Sequence, residues 1–251
     1  MRPLLIAATA ASAATAVLLA PRLTAQTASN EHAWVQLFSE HRLNARLALF
    51  GDLQVRRSAG GAAPQQLLLR PGLLYTVSPR LRVGAGYAFV QTERYGGAPV
   101  VVPFPEHRTW QQLLVHAATG NVAWQGRLRL EQRWIGITRV TPMNDVEVTD
   151  WRFRQRVRPM VRATVNAAEV GIDVTPLYLT AWNELFVHVG GQVNGETLDQ
   201  NRASLQLGWR FSPGLRIEAG YLQQFIRRGA PGRSEINNTV LVTLWTTTGP
   251  R

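Results

Sequence analysis

The sequence predicts an all-β protein, an antiparallel transmembrane β-barrel of about ten strands that follows an N-terminal signal peptide. Three observations support this prediction. Polar and apolar residues alternate with a period of two over most of the chain after residue 30, aromatic residues mark both ends of the clearest alternating segment, and an apolar leader begins the chain. A period of two indicates strands with one apolar and one polar face.

The first 28 residues have the pattern of a secretory signal peptide. Arg2 supplies the positive charge, residues 4–20 form the apolar stretch, and Ala25 and Ala28 are small residues at which cleavage is expected. The predicted organisation is therefore a signal peptide over residues 1–28 and one outer-membrane β-barrel domain over residues 29–251. A membrane anchor is the alternative for the leader.

Residues 123–136 show the alternation most clearly. Apolar side chains share one face, among them Trp124, Leu128, Leu130 and Trp134. Charged side chains share the other, namely Arg127, Arg129, Glu131 and Arg133. A helix would scatter these charges around its circumference, whereas a strand places them on one side. The two tryptophans of a tilted strand would lie roughly 25 Å apart along a membrane normal, which is the height of the apolar band of an outer-membrane barrel.

The same alternation recurs in nine further segments. They are residues 45–56, 65–76, 81–93, 106–118, 151–162, 176–189, 202–211, 215–226 and 235–246. Because closure by antiparallel pairs alone needs an even number of strands, we predict ten spanning strands, with twelve as the alternative. Residues 32–39 are then expected to form a short extra strand or a segment that lies inside the barrel.

The apolar faces are expected to contact lipid in the outer membrane of a Gram-negative bacterium. Strand length, aromatic edges and the leader favour this orientation over a soluble periplasmic barrel, in which the apolar face would point inward. Aromatic residues at the edges of the apolar band are then expected to form membrane girdles. These residues are Trp124, Trp134, Trp151, Trp209, Tyr87 and Tyr221.

The polar faces carry a cluster of charged residues that would share the lumen. Its members are Asp52, Arg127, Arg129, Glu131, Arg133, Arg152, Arg154, Arg156, Arg158, Glu184 and Glu218. Lysine is absent, so all 27 basic residues are arginine, and the formal net charge is +11. The cluster predicts either a porin-like path that attracts small anions or a structural network of ion pairs that fills the barrel.

Other chemistries are weakly represented. The five histidines form no H-x-x-x-H pair and cysteine is absent, so no metal site or other cofactor is predicted. The leader and the spread of the arginines argue against nucleic-acid binding. No enzymatic activity is expected, although a lipid-modifying hydrolase that pairs Ser204 with His188 across neighbouring strands is the alternative function. The oligomeric state does not follow from the sequence.

Two segments resemble a family of bacterial barrels known only as a domain of unknown function. They are E-H-R-T-W-Q-Q over residues 106–112 and R-L-R-L-E-Q-R over residues 127–133. Shorter matches are R-F-R at 152–154, Asn183-Glu184, G-A-G-Y at 84–87 and Gly220-Tyr221. The resemblance covers most of residues 31–246. It implies a barrel in the outer membrane and implies no activity.

Overall fold

The computed structural model describes residues 26–96, 100–170, 176–190, 197–228 and 233–250. Residues 1–25, which make up most of the predicted signal peptide, lie outside the described residues. Residues 26–28, the last three of that predicted segment, already belong to the first strand.

Within the described residues, eleven strands form one closed barrel. They are β1 (Gln26–Arg42), β2 (Leu47–Ser58), β3 (Ala63–Ser78), β4 (Leu81–Thr92), β5 (Phe104–Thr119), β6 (Val122–Val140), β7 (Val146–Asn166), β8 (Leu177–Val189), β9 (Leu198–Ser212), β10 (Leu215–Arg228) and β11 (Arg233–Thr248). Two 3-10 turns, Ala59–Gly61 and Ala167–Val170, lie between strands. The all-β barrel is confirmed, and the ten segments with alternating residues correspond to β2–β11.

The strand number differs from the prediction. Residues 32–39 are the middle of a full-length strand, β1, and form neither a short extra strand nor a segment inside the lumen, so the prediction of ten strands is wrong, as is twelve. β1 pairs with β2 antiparallel and with β11 parallel, from Gln26↔Arg233 to His41↔Thr248. A single parallel seam lets an odd number of strands close, which removes the premise that the number must be even.

β1 and β11, the two parallel strands at the seam, run in the same direction, and this direction is used to name the two ends of the barrel. We call the end at which β1 and β11 begin the mouth, and the end at which they finish the base. Tight turns join strands at the base over residues 79–80, 120–121 and 213–214. The turns at 59–62 and 141–145 lie at the mouth.

The two faces of each strand differ in burial as their sequence predicts. On β6, the Leu128 side chain is 50% exposed on the outer surface, whereas the neighbouring Arg129 is 1% exposed inside. Leu67, Leu69 and Leu205 are likewise exposed on the outside. The leucine and valine faces therefore form the outer wall, and the arginine rows point into the barrel.

Apolar residues also occupy part of the interior. Trp34, Leu222 and Leu241 form a buried cluster, against which the partly buried Trp182 packs. Trp110 and Phe186 are fully buried as well. Within the described part of the chain, no helix has the length and apolar character needed to cross a membrane.

Candidate functional site: a buried network of arginines and carboxylates

Glu131 lies at the centre of the interior and is fully buried. Arg156 on the neighbouring strand β7 donates from Nε to Glu131 Oε2 at 2.8 Å, and Arg158 donates to Oε1. Arg70 on β3 and Arg108 on β5 place a guanidinium nitrogen 3.9 Å and 4.0 Å from the same carboxylate. One carboxylate thus gathers guanidinium groups from three strands, including β3, which does not pair with β6.

Glu184 is the second centre of the network. Arg158 binds it with two parallel hydrogen bonds, from Nε to Oε1 at 3.0 Å and from Nη2 to Oε2 at 2.9 Å. Arg127 forms a further ion pair with Glu184. Arg158 bridges Glu131 and Glu184, so all three nitrogens of its guanidinium donate hydrogen bonds to carboxylates. The planar guanidinium group favours this geometry.

Glu106 and its partners form the part of the network nearest the mouth. Arg108 binds this carboxylate in a bidentate manner, with Nε–Oε1 and Nη2–Oε2 distances of 2.7 and 2.9 Å. Arg133 also donates to it, with an Nη2–Oε2 distance of 3.0 Å. The side chain of Glu106 is nearly fully buried, so its charge is balanced by two guanidinium groups and not by water.

Asp52, Glu218 and Asp199 also belong to the network, and Asp199 accepts from Arg156 Nη1 at 3.3 Å. Asp52 pairs with Arg70, and Gln54 donates to Asp52 Oδ1 at 2.8 Å. Glu218 lies nearer the base and pairs with Arg162. It also accepts from the Tyr178 hydroxyl at 2.8 Å and from the Trp245 indole at 3.0 Å.

Most of the predicted lumen residues take part in this network. The members with an ion pair are Asp52, Arg127, Glu131, Arg133, Arg156, Arg158, Glu184 and Glu218. Arg129 is buried and forms no ion pair with any residue that the structure describes. It donates to Gln112 Oε1 at 2.7 Å and lies 5.2 Å from the centre of the Trp110 ring.

Arg152 and Arg154 do not join the network. Both lie in the mouth half of β7, where Arg152 is exposed and Arg154 donates to the backbone carbonyl of Phe153 at 3.0 Å. Neither forms an ion pair within the described residues. Among the described residues, the pairing of β7 with β8 begins at Gln155↔Val189, so Arg152 and Arg154 lie where β6 is the strand paired with β7.

Several interior residues are absent from the cluster that the sequence predicts. They are Arg56, Arg70, Arg108, Arg162 and Arg202, all of them buried or nearly so. Alternation places each on the polar face of its strand, so the signal was present. Alternation alone does not show how the barrel closes, and it is this closure that brings strands far apart in sequence around the same lumen.

The six predicted girdle residues lie on the outer surface at different heights. Trp124 and Trp209 lie near the base, and Trp134 and Trp151 lie in the mouth half. Tyr87 and Tyr221 lie midway along β4 and β10. The four tryptophans are therefore arranged in two groups, separated along the strands.

The proposed Ser–His pair does not form. Ser204 is in register with Trp182, six residues along β8 from His188, which is roughly 20 Å of strand. Ser204 Oγ donates to the backbone oxygen of Tyr221 at 2.8 Å, and His188 Nε2 lies 3.8 Å from Asp199 Oδ1. The prediction that these two side chains approach each other is wrong. Among the described residues, no group of three or more metal-ligating side chains is suited to hold an ion.

The fold and the interior define a closed β-barrel that holds a buried network of ion pairs. Residues 31–235 match the family described as "Protein of unknown function (DUF2490)", and the chain belongs to that family. The predicted resemblance to an uncharacterised family is thereby confirmed. None of the curated proteins compared with the chain matches it.

Proposed function

We propose that this protein is an outer-membrane β-barrel with a structural role, whose lumen is closed to ion flow by its own side chains. The outward leucines and valines support membrane insertion, because such a wall suits hydrocarbon and not water. The predicted signal peptide and the two groups of outer tryptophans support the same location. Outer-membrane lipids are the expected partners, and we propose no enzymatic activity.

The burial of Glu131 is the observation that best supports the proposal of a closed lumen. This carboxylate has no exposure, although it lies where an open channel would hold water. Guanidinium groups from β3, β5 and β7 surround it, and an eleven-stranded barrel has limited room once long side chains fill it. The interior therefore has the character of a packed core.

Recording of ion currents in planar lipid bilayers tests this proposal. The wild-type protein is expected to insert without stable conductance steps. The double variant Glu131→Ala/Arg158→Ala removes two long side chains from the centre and is expected to conduct. The matched double variant Arg139→Ala/Glu147→Ala removes an exposed pair at the mouth and should remain silent. Stable conductance by the wild type would contradict the closed lumen.

A passive anion pore is the second candidate, and the charge of the interior favours it. Among the described residues, eight arginines are buried against six carboxylates, so the lumen carries an excess of positive charge. Such an interior would favour anions over cations. If the wild type conducts, anion selectivity that falls on replacing Arg129 with glutamate would support the pore.

Membrane location is tested separately by fractionation. The protein is expected in the detergent-soluble outer-membrane fraction, with heat-dependent gel migration typical of a stable barrel. Recovery from the periplasm without detergent would contradict the membrane proposal and would support the soluble alternative.

A further inference from the structure

A cavity of about 110 Å³ lies inside the mouth half of the barrel. Seven arginines line it, and Glu106 is the carboxylate among its lining residues. The remaining polar lining consists largely of glutamine amides, including Gln66, Gln200 and Gln224. The cavity is smaller than sites for drug-sized ligands, yet it has room for several waters or a small anion.

Two of these arginines, Arg56 and Arg202, make no direct ion pair with a carboxylate in the described part of the chain. Arg56 donates to Gln66 Oε1 at 2.6 Å and to Gln54, and Arg202 donates to Gln200 Oε1 at 3.3 Å. Within the described residues neither guanidinium forms a salt bridge, although both are more than nine-tenths buried. The glutamines satisfy hydrogen bonds, while the attracting carboxylates, Asp52 for Arg56 and Glu184 for Arg202, lie beyond ion-pair distance.

The indole of Trp34 holds these two guanidinium groups around the same space. The Arg56 and Arg202 guanidinium carbons lie 4.1 and 5.2 Å from the centre of the Trp34 ring, and Arg202 lies 4.6 Å from the Phe186 ring. Trp34 is itself buried and fixed by a hydrogen bond to Gln65 at 2.8 Å. Contact with aromatic rings offsets only part of the cost of burying a charge.

We infer that the cavity binds a small oxyanion, a phosphate or sulfate group, between Arg56 and Arg202. Buried charges in proteins are normally paired, and here the missing counter-charge faces a space large enough to hold one. Two guanidinium forks present several donors to tetrahedral oxygens, and Gln66 and Gln200 add amide groups beside them. The inference rests on the proposed function in one respect, because it takes the barrel to be folded in a membrane-like environment.

Isothermal titration calorimetry on the full chain in zwitterionic detergent micelles tests the site. Sodium phosphate, and sulfate in a second series, are titrated at constant ionic strength, and saturable binding is expected. The double variant Arg56→Gln/Arg202→Gln is expected to bind phosphate about tenfold more weakly or worse, because hydrogen bonds to charged donors are lost. The matched control is Arg210→Gln, which removes an arginine that stacks on Tyr178 at the base and lies outside the cavity.

If the wild type binds neither the inorganic anions nor the lipid phosphate described below, or if Arg210→Gln loses as much affinity as the double variant, the inference is overturned. If the double variant does not fold, Arg202→Lys and Arg56→Lys keep the charges and remove the planar forks. Each is expected to weaken binding several-fold, and unchanged affinity in both would overturn the site.

A parallel titration with short-chain phosphatidic acid separates two sources of the phosphate group. Binding of inorganic phosphate indicates a soluble ion, and binding of the lipid alone assigns the site to a headgroup. Conductance by the wild type would overturn the closed lumen and leave phosphate binding intact, so the two proposals fail in different experiments.

Discussion

At the scale of single residues, the interior of this barrel depends on how a few carboxylates are shared. Glu131 and Glu184 both bind Arg158, and Glu106 binds both Arg108 and Arg133. Bringing such charges out of water is costly, and only multiple hydrogen bonds with good geometry offset that cost. The loss of one shared carboxylate should therefore affect several guanidinium groups at once.

The variant Glu131→Gln is expected to lower the free energy of unfolding by about 3–5 kcal/mol, because it leaves buried guanidinium groups without their counter-charge. Denaturant unfolding in detergent micelles, followed by tryptophan fluorescence, measures the change.

The same substitution at an exposed pair is the control for this prediction. Glu147 pairs with Arg139 at 3.3 Å, and their side chains are 49% and 67% exposed. Glu147→Gln should cost about 0–1 kcal/mol, as exposed ion pairs do. Equal effects of the two variants would show that Glu131 is no more important than a surface acid.

At the scale of strands, small residues make room for large aromatic side chains inside the barrel. The Trp110 ring of β5 lies against Gly72 of β3 and Gly86 of β4, which face each other in register. A Cβ added to Gly72 would lie 2.7 Å from Cη2 of Trp110, closer than carbon atoms approach. The glycines thus let a tryptophan fill the lumen across two strands.

The variant Gly72→Ala is therefore expected to destabilise the barrel by about 1–3 kcal/mol through overpacking. Its control is Gly126→Ala on β6, where an added Cβ meets nothing within 4 Å. Thermal unfolding in detergent compares the two variants. A destabilisation as large for Gly126→Ala would attribute the effect to backbone conformation and not to Trp110.

At the scale of the whole molecule, the parallel seam between β1 and β11 decides how the barrel closes. Leu37 of β1 lies in register with Leu53 of β2 on one side and Leu244 of β11 on the other. In a ten-stranded barrel β1 would be absent from the wall, and β2 would contact β11 directly. The two arrangements therefore predict different neighbours for Leu244.

Disulfide cross-linking distinguishes these arrangements, and the natural absence of cysteine leaves no competing thiols. The double variant Leu37→Cys/Leu244→Cys is expected to form a disulfide on mild oxidation, since adjacent strands lie about 4.8 Å apart. Leu53→Cys/Leu244→Cys is expected to remain reduced, with β1 between the two sites. Gel migration under non-reducing conditions gives the answer, and the reverse pattern would refute the eleven-stranded closure.

The sequence by itself determined the strands and their faces. A period of two is a local property, so the alternation of Leu128 with Arg129 was enough to assign one side chain to the outer wall and the other to the lumen. The same reasoning located ten of the eleven strands. It failed for β1 because a rule about strand pairing, and not the pattern of residues 32–39, decided the count.

Only the tertiary structure decided which charges meet. Arg70 and Glu131 are 61 positions apart in sequence, and nothing local in either segment indicates that they share a site. Barrel closure also set Arg152 and Arg154 apart from the network and brought Arg56 and Arg202 around Trp34. The physical reason is that alternation fixes the direction of a side chain, whereas its neighbours across a lumen depend on the register and stagger of every strand between them.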